Sequence, residues 1–136
     1  MTHDKAAGRT HGLDVSVVIP VYRNASSLAD LVDRLKRVAA CAPTEAFEFV
    51  FVDDGSTDGT GAVVEAYGDR VRCVRTANGG IGRARNIGAQ HARGDLLTFL
   101  DSDDLLYPYA LELQTRVLDR FPDAAFVCAE MSAFDE

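Results

Sequence analysis

Apolar runs typical of strands alternate with segments of helical spacing along most of this chain, and this alternation constrains its fold more than any other feature. The first run, residues 15–19, is rich in β-branched residues and ends at Pro20, as is typical of a strand buried on both faces. Further strands are expected at residues 47–52, 71–74, 96–100 and 125–128. Helices are expected at residues 27–41, 60–67, 82–92 and 108–120, the first of them opening with a capping box at Ser27 and Asp30.

Strands and helices in this order predict a mostly parallel α/β sheet with right-handed crossovers and helices on both faces, which makes three layers. The 136 residues are enough for one hydrophobic core and too few for two. We expect the polar, aperiodic residues 1–13 to form a mobile tail and residues 14–136 to form one domain.

Composition limits the partners that such a domain can have. A net charge of −7 argues against nucleic acid or an anionic membrane surface as a general partner. No apolar run approaches the roughly 20 residues of a membrane span, and the polar start lacks the apolar segment of a signal peptide. The three cysteines, Cys41, Cys73 and Cys128, have no paired spacing, so we expect reduced thiols rather than disulfides or a zinc site. We therefore expect a cytoplasmic protein.

Polar clusters follow the first four predicted strands. They occupy residues 22–24, 53–58, 78–85 and 101–104. In parallel sheets a ligand binds beyond the carboxyl ends of the strands, where the strand order reverses. The four clusters together predict a ligand site at this edge of the sheet.

The last cluster places Asp101, Asp103 and Asp104 together at the end of the fourth strand, just before Pro108. Crowded carboxylates repel one another, and a hard divalent cation such as Mg²⁺ or Mn²⁺ relieves that repulsion while sharing its oxygen ligands with substrate phosphates. The alternative is a solvated acidic turn in which Asp104 caps the next helix.

The other clusters also allow two interpretations each. Asp58 can cap the helix that follows it, which leaves Asp53 and Asp54 to explain; a carboxylate there can accept the imide N–H of a uracil or thymine ring, and we favour Asp53 for this contact. Tyr22 could stack on that base or cover the core. The glycine run at residues 78–82 allows backbone to approach a ligand and directs a helix N-terminus at it.

The segments at residues 17–24, 52–58, 78–88 and 99–104 resemble, in order and spacing, the successive motifs of family-2 glycosyltransferases with the Rossmann-like GT-A fold. The resemblance covers nearly all of residues 14–126 and implies a donor site for a nucleotide-diphospho-sugar, with UDP weakly favoured. The residues that it implies in donor binding are Pro20, Tyr22, Asp53, Asp54, Gly80, Arg83, Arg85 and Asp101, with one of the two arginines holding the nucleotide.

The resemblance also implies a bound Mg²⁺ or Mn²⁺, held by Asp103 of the Asp-x-Asp motif, with Asp101 as a second candidate ligand. Such an ion would neutralise the charge that develops on the leaving nucleoside diphosphate. In this family the sugar passes to an acceptor hydroxyl by a direct displacement with inversion. The sugar and the acceptor, whether a glycan, a lipid-linked molecule or a small molecule, are not indicated by the sequence.

Members of the family usually continue into a second half that carries the acceptor site and a catalytic base. We therefore expect this chain to be the donor-binding half, either a fragment or a short protein, with its own catalytic competence left open and self-association through the uncovered surface. Two alternatives stay open: a non-catalytic nucleotide-binding or assembly module, and a receiver-like signalling domain. Receivers place their acid pair after strand one and a lysine after strand five, whereas here the pair follows strand two and no lysine follows Lys36.

Overall fold

A computed structural model of the protein describes residues 15–41, 47–67, 71–107 and 109–129. Within those ranges the strands are β1 (Val15–Val21), β2 (Phe47–Asp54), β3 (Val71–Thr76) and β4 (Leu96–Phe99). The helices are α1 (Ala25–Cys41), α2 (Thr60–Glu65), α3 (Ile81–His91) and α4 (Ala110–Arg120). The tail expected at residues 1–13 lies outside the described residues.

The chain divides into two compact units, Met1–Asp104 and Leu105–Glu136. The first unit contains the four strands in one parallel sheet of order β3-β2-β1-β4, together with α1, α2 and α3. The second contains α4, in which the buried Thr115 donates its hydroxyl hydrogen to the Leu111 carbonyl oxygen one turn earlier. The α/β class and the parallel sheet predicted from the sequence are confirmed.

The path of the chain through the sheet places helices on both of its faces. From β1 to β2 to β3 the chain moves in one direction, so right-handed crossovers put α1 and α2 on the same face. The connection from β3 to β4 runs back across the sheet, and α3 packs against β1 and β2 on the opposite face. The strand order therefore reverses between β1 and β4, which is where such sheets bind ligands.

The core under α3 is a close contact between helix and sheet. Val18, Val50, Val52 and Ala84 are fully buried there, and each buried valine contributes on the order of 1.5–3 kcal/mol. A side chain at Gly88 would overlap the Val18 side chain, so this glycine lets α3 lie close to the sheet. This contact fixes where α3 begins relative to the ends of the strands.

Several predicted boundaries were wrong, and each error has a local reason. Strand β2 continues through Asp53 and Asp54, because the ladder pairs Asp53 with Val21 and Asp54 with Thr76, and this pairing overrides the turn preference of aspartate. Helix α1 begins at Ala25 rather than at residue 27. The Asn24 carbonyl accepts the N–H of Ser27, which puts Ser27 inside the first turn, so the predicted capping box is not the start of this helix.

The second unit also departs from expectation. The strand predicted at residues 125–128 is absent: these residues are described and have no regular structure, and Phe126 is exposed. A short apolar run becomes a strand only when it finds a partner strand, which its own sequence does not reveal. Helix α4 begins at Ala110, after Tyr109 in the left-handed conformation, rather than at residue 108.

Candidate functional site

A cleft of about 480 Å³ lies beyond the carboxyl ends of β1, β2 and β4. This position is the point of strand-order reversal, and the volume is in the range of small-molecule sites. The residues that line it are Pro20, Val21, Tyr22, Asn24, Asp54, Asn78, Gly80, Ile81, Ala84, Asp101, Ser102 and Asp103. Six of the nine predicted site residues therefore meet here, and Asp53, Arg83 and Arg85 are not among the lining.

Asp54, the last residue of β2, lines the cleft although its side chain is largely buried. One carboxylate oxygen accepts the N–H of Gly79 at 2.9 Å, and the other accepts the N–H of Gly80 at 2.8 Å. A carboxylate offers about four lone pairs, so two of them remain. Asp54 thus holds the glycine run in place and can still accept a hydrogen bond from a ligand.

Asp53 lies on the other face of the sheet, because successive side chains of a strand point to opposite faces. Its carboxylate is buried and accepts the N–H of Ser56 at 2.9 Å. Burial raises the pKa of the nearby Cys73 thiol to about 11, and the negative charges of Asp53 and Glu65 add to that rise. The structure therefore places Asp53 towards Cys73 on the α2 side and Asp54 towards α3 and the cleft.

The glycine run delivers the start of α3 to the cleft. Gly80 has φ 87° and ψ 163°, a conformation that is essentially restricted to glycine. The first turn of a helix leaves backbone N–H groups without intrahelical partners and carries partial positive charge. Because Gly80 and Ile81 line the cleft, this end of α3 is suited to an anionic group such as a phosphate.

The two arginines of α3 bind other parts of the protein. One Arg83 nitrogen donates to the Thr76 hydroxyl oxygen at 2.8 Å and to the Ala77 carbonyl oxygen at 2.6 Å. Arg85 donates to both carboxylate oxygens of Asp101, at 2.7 and 2.8 Å. Arg85 therefore affects the cleft through Asp101, and Arg83 fixes the segment before α3.

The acidic turn after β4 contains one carboxylate that is partnered and one that is not. Asp101 is held by Arg85, while the exposed Asp103 carboxylate makes no hydrogen bond or ion pair within the described ranges. Asp104 donates its backbone N–H to the Asp101 carbonyl oxygen at 3.1 Å and does not line the cleft. A free carboxylate oxygen is the donor that Mg²⁺ and Mn²⁺ prefer, so Asp103 fits a hard cation.

No group of three or more His, Cys, Asp or Glu side chains that could hold a metal occurs in the part of the chain that the structure describes. A cation at Asp103 would therefore complete its coordination with water and with oxygens of a bound ligand. This is the usual arrangement for Mg²⁺, which combines one or two carboxylates with substrate phosphates.

Tyr22 forms part of the cleft wall at the end of β1, and 45% of it is exposed. Its ring lies 5.2 Å from the guanidinium of Arg23, and its N–H donates to the Asn24 side-chain oxygen at 2.9 Å. Pro20 and Val21 continue the same wall from the end of β1. An exposed aromatic face beside apolar side chains is suited to stacking on a flat ring.

Ser56, Asp58 and Thr60 hold this wall in place, and the sequence analysis singled out only Asp58 among them, as a helix cap. Asp58 accepts the N–H of Thr60, the first residue of α2, as predicted, although the N-cap position itself is Gly59. Ser56, Asp58 and Thr60 also accept backbone N–H groups of the β1–α1 connection. Only the turn composition of residues 55–60 marked this segment, and composition does not name a partner more than 30 residues away.

A sequence model of the family described as Glycosyl transferase family 2 matches residues 16–136. The chain belongs to glycosyltransferase family 2. This confirms the resemblance found in the sequence and excludes the receiver-like interpretation. Within the described ranges, no helix has both the length and the apolar character needed to cross a membrane.

Relatives of this glycosyltransferase chain include longer bacterial proteins. Glycosyltransferase GlyG of Streptococcus pneumoniae is 32% identical over 127 residues, which are 90% of this chain and 40% of GlyG. An uncharacterized glycosyltransferase of Rickettsia felis is 38% identical over 109 residues, which are 78% of this chain and 17% of that protein. The chain thus spans less than half the length of either relative.

Solved structures with the same fold include two with bound nucleotide sugars. Mannosyltransferase PcManGT from Pyrobaculum calidifontis, in complex with GDP-Man and Mn²⁺, has a TM-score of 0.65 and 27% identity, over 80% of this chain and 33% of that one. S. aureus TarS 1-349 in complex with UDP-GlcNAc has a TM-score of 0.61 and 29% identity, over 79% of this chain and 32% of that one. The fold of this chain is the predicted GT-A fold.

Proposed function

We propose that this chain binds a nucleotide-diphospho-sugar, with UDP-sugars favoured, together with Mg²⁺ or Mn²⁺, as the donor-binding domain of an inverting glycosyltransferase. The observation that carries the proposal is the cleft at the strand reversal. It brings together a helix N-terminus, the Asp54 carboxylate, which has two lone pairs left, and the Asp103 carboxylate, which has no partner within the described residues. A nucleotide sugar offers one group for each of them: a diphosphate for the helix N-terminus, an N–H of the base for Asp54, and phosphate oxygens that share a cation with Asp103. The complexes of TarS with UDP-GlcNAc and of PcManGT with GDP-Man and Mn²⁺ support the proposal.

The base would lie on the wall formed by Pro20 and Tyr22. Asp54 has two lone pairs to offer beyond its bonds to Gly79 and Gly80, and it can accept the imide N–H of a uracil ring there. The sequence favoured Asp53 for this contact, and that assignment stays a prediction. The buried Asp53 carboxylate accepts the N–H of Ser56 and does not line the cleft, so we give the contact with the base to Asp54.

The diphosphate would bind at the start of α3, where Gly80 allows backbone N–H groups to approach it. Asp103 would hold the cation, and Asp101, oriented by Arg85, would lie beside it near the ribose. When bound, the cation supplies a positive charge that stabilises the leaving nucleoside diphosphate. The two aspartates thus have separate tasks because only one of them is neutralised by an arginine.

Sugar transfer also needs an acceptor hydroxyl and a general base that takes its proton. We assign neither to a residue of this chain. The chain covers about a third of the two structures with bound donors, so we propose donor binding for this part and inverting transfer for the whole protein. Self-association stays a prediction. We propose a cytoplasmic location as well, supported by the free thiols of Cys73 and Cys128.

The direct test is calorimetric titration with UDP, UDP-GlcNAc and GDP-Man, each with and without Mn²⁺. We expect Mn²⁺ to strengthen binding to the parent chain by at least about tenfold, and we expect Asp103→Ala to remove that dependence. Asp104→Ala is the matched control, because it deletes an acidic side chain of the same turn that does not line the cleft. Equal stimulation by Mn²⁺ in the parent and in Asp103→Ala would exclude Asp103 as the metal ligand.

A further inference from the structure

Three consecutive backbone N–H groups, at the end of the β1–α1 connection and the first residue of α1, are bound by side chains of the β2–α2 connection and the first residue of α2. Arg23 donates to the Ser56 hydroxyl at 2.9 Å and Asn24 donates to the Thr60 hydroxyl at 3.0 Å. The N–H of Ala25 donates to the Asp58 carboxylate at 3.3 Å. We name this set of three hydrogen bonds the loop clasp. Its acceptors lie 33 to 36 residues from their donors, so it ties together two segments that are distant in the sequence.

The clasp holds a backbone conformation that its residues do not favour on their own. Arg23 has φ 55°, in the left-handed region that residues with a β-carbon rarely occupy. Such conformations persist where the surrounding structure imposes them, and they concentrate at ligand-binding sites. The hydrogen bond from Arg23 to Ser56 fixes the peptide N–H at this residue, so Ser56 helps to hold it in the left-handed conformation.

The clasp connects directly to the wall of the cleft. Tyr22 precedes Arg23, and its N–H is bound by the Asn24 side chain, whose backbone N–H is in turn held by Thr60. On the other side, the buried Asp53 accepts the N–H of Ser56 and anchors it to the end of β2. An unbroken chain of hydrogen bonds therefore runs from Asp53 through Ser56 to the residue that follows Tyr22.

We propose that Ser56 and Thr60, supported by Asp53 and Asp58, are positioning residues that preset Tyr22 for the base of the donor. None of these four residues lines the cleft. They act through the backbone of residues 22–25 and reduce the ordering that the ligand would otherwise impose. The proposal rests on the proposed function for its consequence, the affinity for nucleotide, while the clasp itself is testable without any ligand.

The first experiment measures amide hydrogen exchange at Arg23, Asn24 and Ala25 by NMR in the free protein. In Ser56→Ala we expect exchange at Arg23 to quicken by about tenfold or more, and in Thr60→Val we expect the same at Asn24, since each variant removes one acceptor. Thr57→Ala is the control, because Thr57 is exposed and makes no hydrogen bond with another described residue. Unchanged exchange at Arg23 in Ser56→Ala would overturn the clasp.

The second experiment follows UDP binding in a Tyr22→Trp background. The chain contains no tryptophan, so this substitution gives a single emitter in the cleft wall. We expect Ser56→Ala to weaken UDP binding by about tenfold, Ser56→Thr to retain most of it, and Thr57→Ala to leave it unchanged. Thermal unfolding of each variant confirms that the protein remains folded.

The decisive comparison adds Arg23→Gly or Arg23→Ala to the Ser56→Ala variant. Glycine adopts a positive φ without steric cost, whereas alanine does not, and both remove the guanidinium. Restored UDP binding with glycine alone shows that Ser56 acts by holding the backbone of Arg23. Faster exchange at Arg23 with unchanged UDP affinity in Ser56→Ala would overturn the positioning role and leave the proposed function standing. Failure of the parent chain to bind UDP would overturn both, while the exchange data would still decide whether the clasp forms.

Discussion

At the amino-terminal edge of the sheet Glu48 lies among partners from its own chain, whereas at the carboxyl-terminal edge Asp54 and Asp103 face the cleft. The Glu48 carboxylate accepts the Ser16 hydroxyl at 2.6 Å and the N–H of Arg93, and it pairs with Arg72 at 3.5 Å. At the other edge Asp54 has lone pairs left over, and within the described residues Asp103 has no partner at all.

The difference separates a carboxylate that lies among donors of its own fold from carboxylates that line a cleft. A buried carboxylate whose acceptors are filled by the protein holds segments together, here the start of β1, the start of β2 and the turn before β4. Asp54 holds the glycine run and still has lone pairs for a ligand, whereas the exposed and unpartnered Asp103 carboxylate contributes little to folding. Substitution of Glu48 should therefore lower the free energy of unfolding without changing nucleotide affinity. Substitution at the cleft should lower nucleotide affinity.

The largest effect is expected for Glu48→Ala. The change removes the acceptor of the Ser16 hydroxyl, one of the two acceptors of the Arg93 N–H and the ion-pair partner of Arg72, so we expect the free energy of unfolding to fall by about 3 kcal/mol. Urea denaturation measures this loss. Glu65→Ala is the control: its ion pair with Arg75 is more than half exposed on both sides, so the expected loss is about 0.5 kcal/mol or less.

The affinity of folded Glu48→Ala for UDP should match that of the parent. If it dropped together with stability, the two edges would be coupled and the separation between them would be lost.

The next effect concerns the adjacent acids at the end of β2. We expect Asp54→Ala to weaken uridine binding by about 2 kcal/mol, roughly thirtyfold, because a buried imide donor would lose its acceptor. Asp53→Ala should weaken it less, since Asp53 acts only through Ser56. Titration with uridine, which carries no phosphate, isolates the contact with the base. A larger loss in Asp53→Ala than in Asp54→Ala would support the assignment made from the sequence.

A smaller effect tests which face of the sheet each of these acids occupies. Burial, followed by the charges of Asp53 and Glu65, raises the pKa of Cys73 to about 11. Asp53→Asn removes one of those charges, so we expect alkylation of Cys73 by iodoacetamide near pH 8 to quicken by about threefold. Asp54→Asn, on the opposite face, should leave that rate unchanged. Peptide mass spectrometry resolves Cys73 from the other cysteines; equal acceleration by both variants would contradict the placement.

The smallest effect is the contribution of Asp58 to stability, which should depend on pH only under acidic conditions. The Thr60 hydroxyl, followed by backbone N–H groups of Thr60 and Ala25, lowers the pKa of Asp58 below its ordinary value of 3.8. Because the pKa is lower in the folded state, Asp58 stabilises the fold at pH values above its pKa in the unfolded state. It loses that contribution as the pH falls through its pKa in the folded state.

We therefore expect the difference in melting temperature between the parent and Asp58→Asn to stay constant from about pH 8 to about pH 5 and to close below 3.8. Asp104→Asn serves as the charge-matched control. A difference that changed between pH 5 and 8 would mean that another group controls the clasp.

The sequence by itself determined the fold class, the order of the four strands and four helices and the edge of the sheet at which the cleft lies. Apolar periodicity is local, and right-handed crossovers leave few topologies for alternating strands and helices, so both can be read without a structure. The same patterns indicated the edge at which Pro20, Tyr22, Gly80, Asp101 and Asp103 meet. They failed where a neighbour decides the outcome, as at residues 125–128, where no partner strand forms, and at Ser27, which lies inside α1 rather than at its start.

Only the tertiary structure decided where each acid lies and which groups it contacts. Asp53 and Asp54 are chemically identical neighbours, and the β2 ladder that continues through both sends one to each face. Asp101 differs from Asp103 because Arg85 reaches it from α3, 16 residues earlier in the chain. The hydrogen bond between Arg23 and Ser56 joins two loops 33 residues apart. Hydrogen bonds and charge pairs of this kind depend on distances in space, and residues brought together by folding have no fixed spacing along the sequence.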